Sequence, residues 1–511
     1  MNVVLVIFDS LREDCIECLG APPWGTVYTP NLNKFSEESF VLRRCYPESL
    51  PTLPARRAIY TGKRAYPFEE DVAFKGDNVI NPGWGPILEE RDTISEILQE
   101  NGYYTALISD IQHQFKPSKN FHRGFDEWLW IRGYEFDVYR SGPIPSREEI
   151  DYWLPKELQT QLRINKLGQA LMNMKGRTKE EDYFVANVMR ESVRWLEQNA
   201  DKENKFLLVE AWSPHEPWFV PKHYRDMYYD DYSKQQVLSP YSDLHDIDMS
   251  PEILKITQAN YSAMVTMCDR WFGYLYDSIA NMGMLDDTLI VVTTDHGHSI
   301  GDYNYVGKRG YPSTPEVLDI PVIIRHPDDK LGRGISSDIL IQHTDITATI
   351  LDIIGVNSKK SMRKLELFGM MQDDAKPVGE KSYDQISGSS GDVHDQKQGT
   401  FDMDGKSFFN ALLNKENRFR DHVTVGWGAA VTVITDDWWF NCRVNGKGPF
   451  LYNLRSQKPF GENVADSYPD VSKELFDLAL KDAGGKFPDY LMAMADSGKD
   501  APGCSDLAVD L

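Results

Sequence analysis

The sequence predicts an α/β protein, with a mainly parallel central sheet flanked by helices and a smaller C-terminal α+β subdomain carrying an antiparallel sheet. Three observations predict it. Short apolar runs alternate with amphipathic stretches through the first two-thirds of the chain, a polar tract follows, and alternating apolar residues with turn signals come after the tract. Strand–helix alternation means parallel strands covered on both faces. Alternation at period two with tight-turn residues means hairpins.

Taken in order, VVLVIF (3–8), YYTALIS (103–109), FLLVEAW (206–212), TLIVVTT (288–294) and IPVIIR (320–325) read as buried strands. Helical periodicity covers 93–102, 185–198 and 260–283. A further helix over LPARRAIYTG begins at Thr52, with Pro54 tolerated in its first turn. Residues 134–180, rich in Tyr, Pro and charges, read as an insertion able to form a lid. Residues 356–400 are polar, contain GSSG and read as a linker. Residues 422–454, with the NGKG turn, predict the antiparallel sheet, and a helix over 470–482 packs on it. The expected division is a catalytic α/β domain over 1–385 and a C-terminal subdomain over 401–511.

At 511 residues the chain exceeds one ordinary core. Its 41% hydrophobic and 12% aromatic content argues against disorder. With 55 basic and 78 acidic residues the net charge is −23, a surface that repels phosphate backbones and speaks against a nucleic-acid partner. No apolar run reaches the roughly 18 residues that a membrane span needs. The start, MNVVLVIFDS, lacks the basic residues and cleavage site of a signal peptide. A cytoplasmic location without a membrane partner is therefore expected. The six cysteines are sparse; Cys15 and Cys18 have C-x-x-C spacing, but with no second pair they read as free thiols.

Ligands of parallel sheets bind beyond the carboxyl ends of the strands. Acids and imidazoles at strand ends are thus the candidates: Asp9, Asp110 with His113 just beyond, His215 in SPHEP, and Asp295-His296. One strand-end Asp is often only a helix cap, whereas four such ends point to chemistry. Asp9, Asp295 and His296 could hold one divalent metal with Thr52 as a further oxygen ligand, and coordination lowers the pKa of a hydroxyl. The first amides of the Thr52 helix favour an anion at the same point. Arg56, one turn on, would pin the nucleophile or a non-bridging oxygen. Arg57, Lys63 and Arg64 read as structural or exposed. Ser10 and His298 read equally as ligands or as packing, and Tyr134 and Trp84 as pocket lining or core.

The segments NVVLVIFDSLRED, PTLPARRAIYTGKR, NFHRGFDEW, SPHEPW, DDTLIVVTTDHGHSIGD, VGKRGYPSTPEVLDIPVIIR and LYNLRSQKPFGENVAD occur in an order and spacing that resemble the sulfatase branch of the alkaline phosphatase superfamily. Within it the chain is most similar to phosphonate monoester hydrolases and related phosphodiesterases. The resemblance implies an alkaline-phosphatase-like fold and substrate contacts from His215 and Lys308. It also shows departures. Thr52 stands where sulfatases carry the cysteine that becomes formylglycine, Ser10 where a second acid is usual, His296 where asparagine is usual, and Ile111 where the lysine of a K-x-H element precedes His113. Two carboxylates, an imidazole and a hydroxyl favour Mn or Zn over Ca. A threonine, unlike a formylglycine hydrate, cannot release its ester by collapsing to an aldehyde, so water must attack the central atom. The expectation is a metal-dependent hydrolase of phosphate diesters or phosphonate monoesters acting through a phosphothreonine at Thr52. Arg56 and Lys308 would stabilise charge, and His215 or His113 would protonate or orient the leaving group. The alternatives are a sulfatase-like enzyme acting on sulfate esters or by lyase-type chemistry, and an anion-binding pseudoenzyme. The expected partner is a small anionic ester; a homo-oligomer stays open.

Overall fold

β1 (Asn2–Asp9) is buried along its whole length because it lies inside a sheet covered on both faces. Val4, Val6 and Phe8 join one apolar core, and Val3, Leu5 and Ile7 join another, as the period-two alternation of a strand dictates. The structure, a computed structural model, describes residues 1–69, 77, 79, 81–356 and 401–498. The predicted linker, beyond residue 356, and Cys504 lie outside the described residues.

The remaining strands, in chain order, are β2 (Phe40–Tyr46), β3 (Ser49–Leu50), β4 (Tyr104–Ser109), β5 (Glu127–Trp130), β6 (Lys205–Pro214), β7 (Ser242–Asp243), β8 (Thr288–Thr294) and β9 (Ser299–Ile300). They continue with β10 (Tyr305–Gly307), β11 (Ile320–Arg325), β12 (Ile335–Ser337), β13 (Ile341–Gln342), β14 (Val423–Trp427), β15 (Ala430–Ile434), β16 (Trp438–Arg443) and β17 (Phe450–Asn453). The central sheet has the order β12-β2-β11-β8-β1-β6-β4-β5, with β13 also paired to β2. The run β8-β1-β6-β4-β5 is parallel throughout. Helices Phe184–Gln198 and Pro251–Asn281 cover one face; Thr52–Thr61, Ile94–Glu100 and His343–Ile353 cover the other.

The sheet is mainly parallel, as expected, with two additions. β11, the IPVIIR strand, runs antiparallel to both neighbours, β8 and β2. The chain between β8 and β11 carries β9, β10, a single 3₁₀ turn at Asp302–Asn304 and the four-residue helix Pro315–Leu318, and so lacks the long helix that usually carries a parallel crossover over the face of a sheet. β2 was not legible as a strand because Arg43 and Arg44 interrupt its apolar run; both are half-buried. The long helix starts at Pro251, nine residues before the predicted 260, with the Ser250 side chain accepting from the Ile253 amide as a cap should.

The C-terminal antiparallel sheet is present, in the order β17-β16-β15-β14-β3, with helix Pro469–Asp482 packed on it. Its last member comes from far upstream. Ser49 and Leu50 pair in parallel with Gly426 and Trp427, so the residues leading into Thr52 are held by the C-terminal sheet. Among the described residues no helix is long and apolar enough to cross a membrane.

Candidate active site

Four adjacent parallel strands, β8, β1, β6 and β4, end along one edge of the sheet. Their ends carry Asp295-His296, Asp9, His215 and Asp110 respectively. Asp9 stands level with Pro214 across the β1–β6 ladder, and the Asp295 amide donates to the Phe8 carbonyl at 3.3 Å. The strand order thus gathers residues that are nearly 300 positions apart in the chain.

Asp9, Asp295 and His296, all fully buried, each offer a ligand atom, and these atoms lie within 4.8 Å of one another. The carboxylates are oriented by the backbone around them. Asp295 Oδ1 accepts from the amides of Ser10 (3.0 Å) and His296 (2.8 Å). Asp9 Oδ1 accepts from the Ser10 hydroxyl at 2.7 Å. Ser10 makes both contacts from a left-handed backbone, φ 63°, a region non-glycine residues seldom occupy. Burial and the neighbouring Asp295 charge push the Asp9 carboxyl above its usual range.

His296 fits the role of a metal ligand. Its Nδ1 lies 2.9 Å from the Gly297 carbonyl, which can only accept, so Nδ1 carries the proton. Nε2 therefore presents a lone pair; it is buried, has no hydrogen-bond partner among the described residues and lies 3.3 Å from Asp295 Oδ2. Burial, with Lys308 nearby, holds the ring well below the usual imidazole range. Two carboxylates and a neutral imidazole that converge in this way suit a divalent cation.

Thr52 begins a ten-residue helix, capped by Pro51, and is 2% exposed. Arg56 follows on the same face. Its Nη1 donates to the Thr52 carbonyl (3.3 Å), to Asp9 Oδ2 (3.0 Å) and to Asp295 Oδ2 (2.5 Å). One guanidinium therefore ties the start of the helix to both acids. Its Nε donates to Glu210 at 2.9 Å, and its Nη2 donates to no group among the described residues. The expectation that Arg56 faces a substrate oxygen holds at most for that one nitrogen, because carboxylates occupy the others. Arg57, Lys63 and Arg64 turn elsewhere, to the Gly83 carbonyl, Asp402 and Asp482.

Lys308 is buried with Nζ 3.9 Å from Asp9 Oδ1. His215 places Nδ1 2.7 Å from the Glu216 carbonyl and its ring 4.3 Å from Trp212. His113 also packs on that indole, 5.3 Å between ring centres, with Nε2 3.1 Å from Glu135. Trp84 packs against His113, and the Tyr134 hydroxyl donates to the His215 carbonyl. His298 is buried with Nε2 on the Ser239 hydroxyl and is not one of the three clustered ligands. Cys15 and Cys18 are free thiols.

Sequence reasoning missed Glu210 and Glu135. Glu210 is buried mid-strand in β6, where it accepts from Arg56, the Tyr60 hydroxyl and Gln114. The charge inside FLLVEAW was the available signal. Glu135 had none. A cleft of about 630 Å³ is lined by the carboxylate neighbours of the two histidines, Glu135 and Glu216, and by Phe136, Lys166 and Tyr241, among others, so the 134–180 segment contributes to its wall.

A family model described as Sulfatase matches residues 1–356. The chain is 24% identical to the arylsulfatase of Clostridium perfringens, over 73% of this chain and 78% of that protein. It is 22% identical to the multifunctional alkaline phosphatase superfamily protein PehA of Trinickia caryophylli, over 69% and 74%. The solved phosphonate monoester hydrolase of Agrobacterium radiobacter superposes with a TM-score of 0.63 at 19% identity, covering 94% of this chain and 95% of that one.

Proposed function

The chain belongs to the sulfatase family, and on that premise we propose that it is a metal-dependent hydrolase of phosphate diesters or phosphonate monoesters, with Thr52 as nucleophile. The observation that carries this reading is the Arg56 guanidinium, which joins the Thr52 carbonyl to both Asp9 and Asp295. A hydroxyl-bearing residue thereby begins its helix against the acids of the ligand cluster.

A divalent ion held by Asp9, Asp295 and His296 would lower the pKa of a neighbouring hydroxyl and neutralise an oxyanion, and this donor set favours Mn or Zn over Ca. The protein's own groups do the rest. The deprotonated Thr52 oxygen bonds to phosphorus as the bond to the leaving oxygen breaks. Lys308, Arg56 Nη2 and the first helix amides draw the charge on the non-bridging oxygens. His215 or His113 supplies the leaving oxygen with a proton. Water then attacks phosphorus, and the Thr52 oxygen departs and regains its proton.

A second reading, hydrolysis of sulfate esters, is favoured by one observation: the arylsulfatase is among the relatives. Thr52 favours the first, because a phosphothreonine can be hydrolysed by attack at phosphorus, whereas the aldehyde-hydrate route of formylglycine is closed to it. Side-by-side assay of aryl phosphodiester, phosphonate monoester, phosphomonoester and sulfate ester tests the ranking. The diester or phosphonate should be turned over fastest, and Thr52→Ala should reduce that rate to background. Dominant sulfate turnover, or undiminished diester turnover in Thr52→Ala, overturns the reading.

A further inference from the structure

We propose that Arg163 and Lys166 make the cleft of about 630 Å³ a subsite for a second negative charge of the substrate, so that the ester taken by this chain carries a carboxylate on its leaving alcohol. The proposal rests on the phosphoryl site assigned above and extends it from the reacting group to the organic part.

The cleft adjoins that site through its own wall. Tyr241 places its hydroxyl 3.5 Å from His215 Nε2, and Glu216 Oε2 lies 3.2 Å from Nδ1 of the same ring. β7, which follows Tyr241, pairs with β10, whose last residue, Gly307, precedes Lys308. Gly307 abuts Tyr241 so closely that a Cβ would meet its Cα at 2.8 Å. With the reacting group drawn to Lys308 and the Thr52 helix, the part of the ester that extends past His215 is the leaving alcohol. The space is of the size that encloses a small organic ligand.

Two cations of the cleft lack a matching acid. Arg163 and Lys166 lie three apart on helix Gln161–Met174, inside the 134–180 insertion, and so are neighbours on its surface. Both are half-buried, and neither forms an ion pair with a described residue. Arg163 donates to the Leu158 and Pro240 carbonyls, which fix the guanidinium and leave its charge uncompensated. Burial pulls that group below its usual range, as happens to a cation without a counter-charge. The Lys166 ammonium lies 4.7 Å from the centre of the Phe136 ring, and a ring face answers a cation less strongly than a carboxylate does. The chain has 78 acidic residues to 55 basic ones. Where acids are in such excess, two half-buried cations left without one mark a place for an anion from outside.

The acids of the cleft wall are engaged elsewhere. Glu135 accepts from the Gln112 side-chain amide at 3.0 Å and lies 3.1 Å from His113 Nε2. Asp243 pairs with Arg309 at 2.7 Å. Glu216 is hydrogen-bonded by Tyr241, and burial lifts its pKa to about 7, so it holds only part of a charge in neutral solution. Asp246 is exposed, where water and salt screen it. A singly charged carboxylate suits this balance better than a phosphate dianion, since the two cations stand among acids. It would accept from the Lys166 ammonium and lie against the Arg163 guanidinium, in charge-assisted contacts.

The test compares phenyl esters whose leaving ring carries a para carboxymethyl, carbamoylmethyl or aminoethyl group, made on whichever parent ester the native protein turns over. The saturated carbon next to the ring keeps the three leaving groups alike in reactivity while their charge differs. The native protein should favour the carboxymethyl over the carbamoylmethyl ester roughly tenfold in kcat/KM, the scale of one charge-assisted hydrogen bond, and added salt should shrink that ratio. In Lys166→Met and in Arg163→Gln the ratio should fall towards one, and Lys166→Arg should keep it. Each ratio is taken within one preparation, so an unfolded fraction cancels. A native ratio of one or below, a preference for the aminoethyl ester, or a ratio unchanged in either charge-removing variant overturns the proposal. A protein that acts only on sulfate esters defeats the phosphoryl reading while the same ratio decides the subsite. Phosphodiester turnover without the carboxylate preference leaves that reading standing and removes the subsite. A protein inert to every ester defeats both.

Discussion

Asp9, Glu210 and Asp110 are all fully buried acids near one sheet edge, and their partners set them to different states. Arg56 reaches Asp9 and Glu210, so their charge is matched by a guanidinium that is itself buried. Removing one member of such a network leaves a buried charge unmatched, which typically costs about 3–5 kcal/mol. Asp110 has no ion-pair partner among the described residues. Its Oδ1 accepts from the Trp212 amide at 2.6 Å, its Oδ2 has no hydrogen-bond partner among the described residues, and burial pushes its pKa up to about 8. It is therefore mostly a neutral acid at pH 7. Its raised pKa means that the stability tied to protonation is fully present below the unfolded value, 3.8, and is lost as pH rises through about 8. Asp110→Asn keeps the acceptor for Trp212 without the titration. Melting temperatures of the two proteins should match in acid, and the native protein should fall several degrees below the variant above pH 8. Parallel curves would show that Asp110 is ionised throughout.

At the scale of elements, the loop after β8 must carry Asp295, His296 and His298 past the Pro315–Leu318 helix at close range. Gly297 permits this: its amide donates to the Val317 carbonyl at 2.9 Å, and a Cβ there would strike the Glu316 carbonyl. Gly297→Ala should therefore displace His296. Overpacking of this kind costs about 1–3 kcal/mol, and a shift of about 1 Å in a catalytic group can cost about 10²-fold in rate. Thermal melting and turnover measured together check it; native-like values for both would contradict the close approach. The elements that were legible in the sequence are those whose local pattern agrees with their environment. β1 and β8 are unbroken apolar runs, and the Ile94–Glu100 helix announces itself through Thr93 and Glu96, which form a reciprocal cap. β2 carries two arginines, and the edge strand β5 is largely exposed, so neither shows a core pattern. The direction of β11 depends on the chain between strands, which periodicity does not report.

Across the whole molecule, strand order is what turns scattered residues into a site. Asp9, Asp295 and His296 were legible because each ends a strand, and parallel sheets present those ends together. Glu210 and Glu135 were not, since their meaning lies in contacts with Arg56 and His113, 154 and 22 residues away in sequence. The C-terminal sheet extends the same principle: by pairing β14 with β3 it anchors the approach to Thr52 from more than 370 positions downstream. What this assembly is built to do turns on the Thr52 oxygen. The most direct measurement is mass spectrometry of protein quenched in acid during turnover of a slow alkyl aryl phosphodiester, followed by mapping of the peptide that holds Thr52. An alkyl phosphoryl group on Thr52, absent from Thr52→Ala, is the predicted result; an unmodified Thr52 in protein that releases the phenol in a burst would contradict it.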